Sequence, residues 1–136
     1  MRIECLAGEW SCTLDPDDRG LLEQWYKNDI AGRSIALPGT TQTNSIGPAP
    51  DKMLISGLTP TTEYIGAAWY QRDIELTVGD IDGYIELFLE RCGWLSRAWL
   101  NGVALGSQDS LVAPHVYPLG DAARPGANRI TVMIDN

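Results

Sequence analysis

Turn residues punctuate this chain every ~8–15 residues, and the segments between them are short runs of β-branched, aromatic and aliphatic residues, which reads as an all-β sandwich or barrel. The clearest run is 84–91. There Ile85, Leu87 and Leu89 alternate with Tyr84, Glu86, Phe88 and Glu90, the period of two of a strand with one buried face. Asp82-Gly83 marks a turn before it. Next, 96–100 and 103–106 flank Asn101-Gly102, a pair suited to a two-residue hairpin turn because both positions need φ > 0. The run 128–135 alternates again, with Ile130, Val132 and Ile134 facing inward. Upstream, 69–76 predicts a strand carrying Tyr70, Arg72, Ile74 and Leu76 on one side, and 8–14 and 34–37 are weaker strand candidates. Asp15-Pro16 supplies a cap and first position for one short helix or helical turn, with Leu21, Leu22 and Trp25 covering a face and Gly20 interrupting it. The stretch 38–62 reads as a long Gly/Pro/Thr/Ser-rich loop, a kind that frequently carries function.

A length of 136 residues fits one domain, here taken as 1–136. Ten basic against 18 acidic residues give a net charge of −8, which repels phosphate backbones and sets nucleic acid aside. No apolar run approaches the ~20 residues that span a bilayer, so no membrane partner is expected. The N-terminus lacks the apolar stretch of a secretory signal, which fits an intracellular protein or a domain without its leader; the compartment stays open. Cys5, Cys12 and Cys92 exclude a dense disulfide scaffold. They read as free thiols, with Cys5–Cys12 and Cys12–Cys92 as the alternative bridges. One histidine and no C-x-x-C argue against structural zinc, and neither metal nor cofactor is expected.

Residues that carry chemistry are few. Glycosidases place two carboxyl groups ~5–5.5 Å or ~6.5–9.5 Å apart. Glu86 and Glu90, four apart on one strand face, would be separated by roughly 13 Å. Asp73 and Glu75 would lie ~6.6 Å apart, yet read as solvated strand carboxylates without a pocket. Arg72, if inward, needs a partner for its charge, and Glu86 or Glu90 on a neighbouring strand is the natural one, making a structural ion pair. Trp10, Trp25, Trp69, Trp94 and Trp99 are many for this length. Their rings can fill cores and interfaces or stack on sugar C–H faces, and Trp69, Tyr70 and Trp94 are expected to be partly exposed. His115 follows Pro114 and reads as a hydrogen-bonded loop residue. No G-x-S-x-G occurs, and Cys92 with His115 is a weak dyad signal. Asp15, Asp17 and Asp18 lack the full spacing of a calcium loop.

Taken in order, several segments resemble a known family: Leu37-Pro38-Gly39-Thr40-Thr41, Ala68-Trp69-Tyr70-Gln71-Arg72, Leu87-Phe88-Leu89-Glu90-Arg91-Cys92-Gly93-Trp94, Trp99-Leu100-Asn101-Gly102, Leu105-Gly106, Ala113-Pro114-His115 and Gly126-Ala127-Asn128-Arg129-Ile130-Thr131-Val132. The sequence is similar to the N-terminal sugar-binding domain of glycoside hydrolase family 2, the β-galactosidase and β-glucuronidase family. That resemblance implies an antiparallel, galactose-binding-like jelly-roll β-sandwich. In the family this domain precedes an immunoglobulin-like domain and a catalytic (β/α)₈ barrel, which takes ~250 residues and finds no room here. These residues are therefore expected to lack catalysis of their own, while the parent acts on a galactoside or glucuronide. Family domains continue past 135–136, so the last sheet strand is expected to be missing. The resulting open edge would pair with a second copy, giving a dimer. Trp69, Tyr70, Trp94 and His115 are the candidates for carbohydrate contact. Two alternatives stand beside this reading: a free-standing carbohydrate-binding module, and a purely structural packing domain without sugar affinity.

Overall fold

The computed structural model describes residues 3–39, 46 and 64–136. The strands are β1 (Gly8–Asp15), β2 (Arg33–Leu37), β3 (Ala67–Leu76), β4 (Glu86–Leu89), β5 (Leu95–Leu100), β6 (Val103–Asp109), β7 (His115–Pro118) and β8 (Gly126–Asp135). Among the described residues they form a six-stranded sheet, β2-β1-β3-β8-β5-β6, and a two-stranded sheet, β4-β7. Every pairing is antiparallel. The all-β sandwich read from the alternating runs is the architecture found. The loop expected at 38–62 lies outside the described residues from 40 onward, except for Ile46, which is buried in the core.

The strands form where their alternation lets one face leave water. Cys12, Ile35, Leu76, Ala98, Leu100, Ile130 and Val132 of the larger sheet meet Leu87 and Tyr117 of the smaller one in the main core. On β4, Leu87 is buried while Glu86 and Phe88 face outward, as the period of two requires. The hairpin joining β5 to β6 turns at Asn101 and Gly102, with φ of 52° and 80°. The Asn101 side chain also fastens the turn to its surroundings. Its amide donates to Ala122 O and Asn128 Oδ1, and its Oδ1 accepts from Arg129 N. The C-terminal strand β8 is the spine of the larger sheet, paired with both β3 and β5. Among the described residues the rims of that sheet are β2 and β6, so β8 is itself no edge strand. A one-turn helix α1 (Val78–Ile81) was not anticipated. Its signal was Thr77-x-x-Asp80: Thr77 Oγ1 accepts from Asp80 N while Asp80 Oδ2 accepts from Thr77 N, a capping box.

The larger sheet also buries part of its other face. Ala67, Trp69, Trp99 and Met133 form a second cluster, covered by Ile30 with Trp25 and Tyr26 packed against it. Tyr26 stacks on Trp99 at 4.8 Å and 1°, and Trp69 on Trp99 at 5.1 Å and 21°. The segment doing the covering is not the helix that Asp15-Pro16 suggested. Residues 16–24 form turns, followed by a 3-10 turn at Trp25–Lys27, and Leu22 is left exposed. The physical reason lies in Asp15. Its buried carboxylate accepts from Arg19 N (2.7 Å), Gly20 N (2.8 Å) and Trp69 Nε1 (3.0 Å), pulling the turn down onto the tryptophan. A Cβ on Gly20 would lie 2.4 Å from the Trp69 ring, so only glycine permits this approach.

Asp15→Ala leaves the Trp69 indole N–H and two amides without their acceptor. We expect a loss of about 3 kcal/mol or more and a fall in Tm of roughly 10 °C, read by thermal melting in circular dichroism. A Tm within about 2 °C of wild type would remove the role assigned to this carboxylate.

Candidate functional site

The residues singled out from sequence do not converge on one site. Trp69 is fully buried, held between Asp15 and Trp99, which corrects the expectation of partial exposure. The cause is the covering segment at 25–30, invisible in the alternation of β3 alone. His115 is also fully enclosed. It opens β7 rather than sitting in a loop, with Nδ1 2.5 Å from Ser96 Oγ and Nε2 2.9 Å from Ser110 O. Because a carbonyl only accepts, Nε2 carries a proton toward Ser110. The Tyr117 hydroxyl lies 2.6 Å from Ser96 Oγ and donates to Ser96 O at 2.9 Å. This network ties β5 to β7 across the sandwich and leaves no ring nitrogen of His115 for an outside ligand. Tyr70 is half-buried against the main core, where burial raises its pKa. Trp94 alone among the four is exposed, at 49%.

The proposed ion pair between Arg72 and Glu86 or Glu90 is not formed. The strands β3 and β4 belong to different sheets, and the outward face of β4 points away from the one Arg72 shares with the core. Arg72 instead donates through Nη1 to Leu6 O (2.7 Å) and Ala7 O (3.3 Å), with its guanidinium carbon 5.9 Å from the Trp10 ring centroid. Glu86 accepts from the Tyr84 hydroxyl at 3.0 Å, and Glu90 is exposed. Among the described residues, Arg129 forms a salt bridge with Asp73 at 2.9 Å, across the β8–β3 pairing. Asp73 is thereby engaged with a cation rather than paired with Glu75.

Concave surface lies elsewhere. A cleft of about 220 Å³ is lined by Thr13, Trp25, Asn28, Asp29, Ile30 and Ala31. Thr13 comes from β1, and the rest from the segment that covers the second aromatic cluster. Gln71 fixes that segment to the sheet. Its Oε1 accepts from Ile30 N (3.1 Å), while Nε2 donates to Asn28 O (2.8 Å) and Thr131 Oγ1 (3.0 Å). Trp25 leans on Trp69, with ring centroids 5.8 Å apart and planes tilted by 59°. Thr13 Oγ1 is enclosed and has no hydrogen-bond partner among the described residues. Sequence reasoning counted Trp25 among the tryptophans but missed this cleft, because Thr13 and 25–31 meet only after the chain folds back. A smaller cavity of about 100 Å³ lies among Ile81, Tyr84, Ile85 and Pro118 and is mainly apolar.

The cysteines are free, with Cys5 exposed, Cys12 buried and Cys92 intermediate. Burial pushes the thiols of Cys12 and Cys92 up from 9.0 to about 11, so neither is a ready nucleophile at neutral pH.

Two outcomes follow from these contacts. Arg72→Ala should cost about 1–2 kcal/mol and Glu90→Ala under about 0.5 kcal/mol in urea unfolding; equal, non-additive losses would restore the Arg72–Glu90 pair. For the thiols, the folded chain holds protons that the unfolded chain releases near pH 9.0, so their contribution to stability is complete below that pH and is lost as pH rises through about 11. Tm should fall over that window, and Cys12→Ser should flatten the fall; an unchanged slope would show that Cys12 is not its source.

No protein-family model matches the chain. A β-glucuronidase of Paenibacillus borealis is 26% identical over 135 residues, covering 98% of this chain and 21% of the relative. The crystal structure of Ruminococcus gnavus β-glucuronidase superimposes with a TM-score of 0.79 at 21% identity, over 96% of this chain and 21% of that one. The same fold match holds for the R. gnavus enzyme in complex with D-glucuronic acid. The chain thus spans about a fifth of the length of these proteins. Sequence and fold together make it a relative, over nearly its whole length, of the β-glucuronidases of glycoside hydrolase family 2, consistent with that family's N-terminal domain.

Proposed function

We propose that residues 1–136 are a non-catalytic, sugar-binding domain of a glycoside hydrolase family 2 enzyme acting in carbohydrate metabolism, with a β-galactoside or β-glucuronide as the parent's substrate. The observation that carries this reading is the match of nearly the entire chain to one fifth of a β-glucuronidase, supported by the engagement of three of its acidic side chains in other contacts. Asp15 is spent on backbone and indole N–H groups, Asp73 on Arg129, and Glu86 on Tyr84. The Ser96–His115 contact is sealed inside the sandwich. In the parent, an immunoglobulin-like domain and a (β/α)₈ barrel would follow, and the barrel would supply the chemistry.

A packing role is favoured by a specific feature. Phe88 on the outward face of β4, Trp94 and Leu111 are exposed at 56%, 49% and 64%, and a neighbouring domain packed on them would take these apolar side chains out of water. The two roles are compatible within one parent enzyme.

The purified chain should leave 4-nitrophenyl β-D-glucuronide and β-D-galactoside intact, while a polypeptide extended through the following reading frame should cleave one of them. Turnover by residues 1–136 alone overturns the non-catalytic reading. A reading frame that stops after Asn136 overturns the parent enzyme and leaves the free-standing module.

A further inference from the structure

We propose that the cleft between β1 and the 25–31 segment binds a single neutral hexopyranose ring. The inference deepens the sugar-binding reading above and rests on it. Recognition of a pyranose needs an aromatic surface for the C–H face and polar groups for the hydroxyls. Both are at hand: Trp25 forms one wall, and Asn28 and Asp29 add an amide and a carboxylate. Asn28 and Asp29 are exposed. Among the described residues, the Asn28 side chain makes a long 3.4 Å hydrogen bond to Gln24 O, while the Thr13 hydroxyl is closed off from solvent and lies behind the cleft wall. A volume of about 220 Å³ falls below the ~300–1,000 Å³ of sites that hold drug-sized ligands and suits one ring rather than an oligosaccharide.

The walls are set before any ligand arrives. Gln71 clamps Asn28 O and Ile30 N to the sheet, and Trp25 leans on Trp69, which Asp15 locks in turn. Little ordering is left to be done on binding, which favours affinity. Gln71 is therefore a positioning residue for this cleft.

Charge selects the ligand class. The cleft's charged lining residue is Asp29, and none of its lining residues is cationic. Arg129 senses Asp29 electrostatically, but its guanidinium is bound to Asp73. A carboxylate that accepts from sugar hydroxyls would repel the carboxylate of a uronic acid. The cleft thus favours neutral glycosides, unlike the D-glucuronic acid held by the R. gnavus structure. Trp94, more exposed than the half-buried Trp25, is a poorer candidate. The structure records no polar side chain against its ring among the described residues, and Leu111, next to its backbone partner Ser110, is apolar.

The test is a ¹H–¹⁵N titration of the 136-residue chain with methyl β-D-galactopyranoside, methyl β-D-glucopyranoside and methyl β-D-glucuronide. The neutral glycosides should shift the Trp25 indole and Asn28 side-chain resonances at millimolar concentration, and the glucuronide should bind about tenfold more weakly, a difference of roughly 1.4 kcal/mol. Asp29→Ala, on an exposed side chain, should weaken neutral binding by about tenfold at unchanged Tm. Shifts centred on Trp94 and insensitive to Asp29→Ala overturn the cleft while leaving a sugar-binding domain in place. Shifts from none of the three glycosides overturn the cleft and the sugar-binding role together, leaving the packing role. Tighter binding of the glucuronide overturns the charge selection.

Discussion

A carboxylate buried at the end of β1 governs one whole side of this molecule. Asp15 satisfies three N–H donors at once, and charge-assisted bonds of this kind are stronger than neutral ones. Through them the chain after β1 is turned back over the larger sheet, and Trp69 is given a fixed orientation. The aromatic stack of Trp69, Trp99 and Tyr26 follows from that orientation, and so does the placement of Trp25 against Trp69. Without it, a sheet already covered on its inner side would show a second apolar face to water.

Polar groups inside the sandwich do comparable work between the layers. Ser96, His115 and Tyr117 bridge the two sheets with each polar atom engaged. Buried polar groups are costly when unpaired, so such a network tolerates one register of β5 against β7 and penalises slippage. Gln71 plays the same part on the outer face, where its amide is divided between the sheet and the covering segment.

The strands were legible because alternation is a local property. The hairpin at Asn101-Gly102, the inward set Ile130, Val132 and Ile134, and the split of Leu87 from Glu86 and Phe88 could be read without knowing which strands are neighbours. What depended on neighbours was misread. Arg72 was matched with glutamates on a strand that lies in the other sheet. Trp69 was expected to be partly exposed because nothing local to β3 reports the segment that buries it. His115 looked like a loop residue because the four-residue β7 is too short to show a period. The cleft was illegible for the same reason: Thr13 and Asp29 are brought together by a reversal of the chain that Asp15 imposes.

The side chain of Gln108 on β6 reaches the backbone of Val116 on β7, accepting from its N–H at 3.1 Å and donating to its carbonyl. His115, Tyr117 and Leu119 alternate with Val116, and Leu119 N–H bonds to Ile85 O on the β4 side. Val116 therefore turns its polar groups toward the far rim, where Pro118 has no N–H to offer. Among the described residues, Gln108 takes up both backbone groups that Val116 turns to that rim and Pro118 brings no N–H, so the rim offers little for a foreign chain to pair with. The smaller sheet is in this way protected from templated aggregation on one side by two residues.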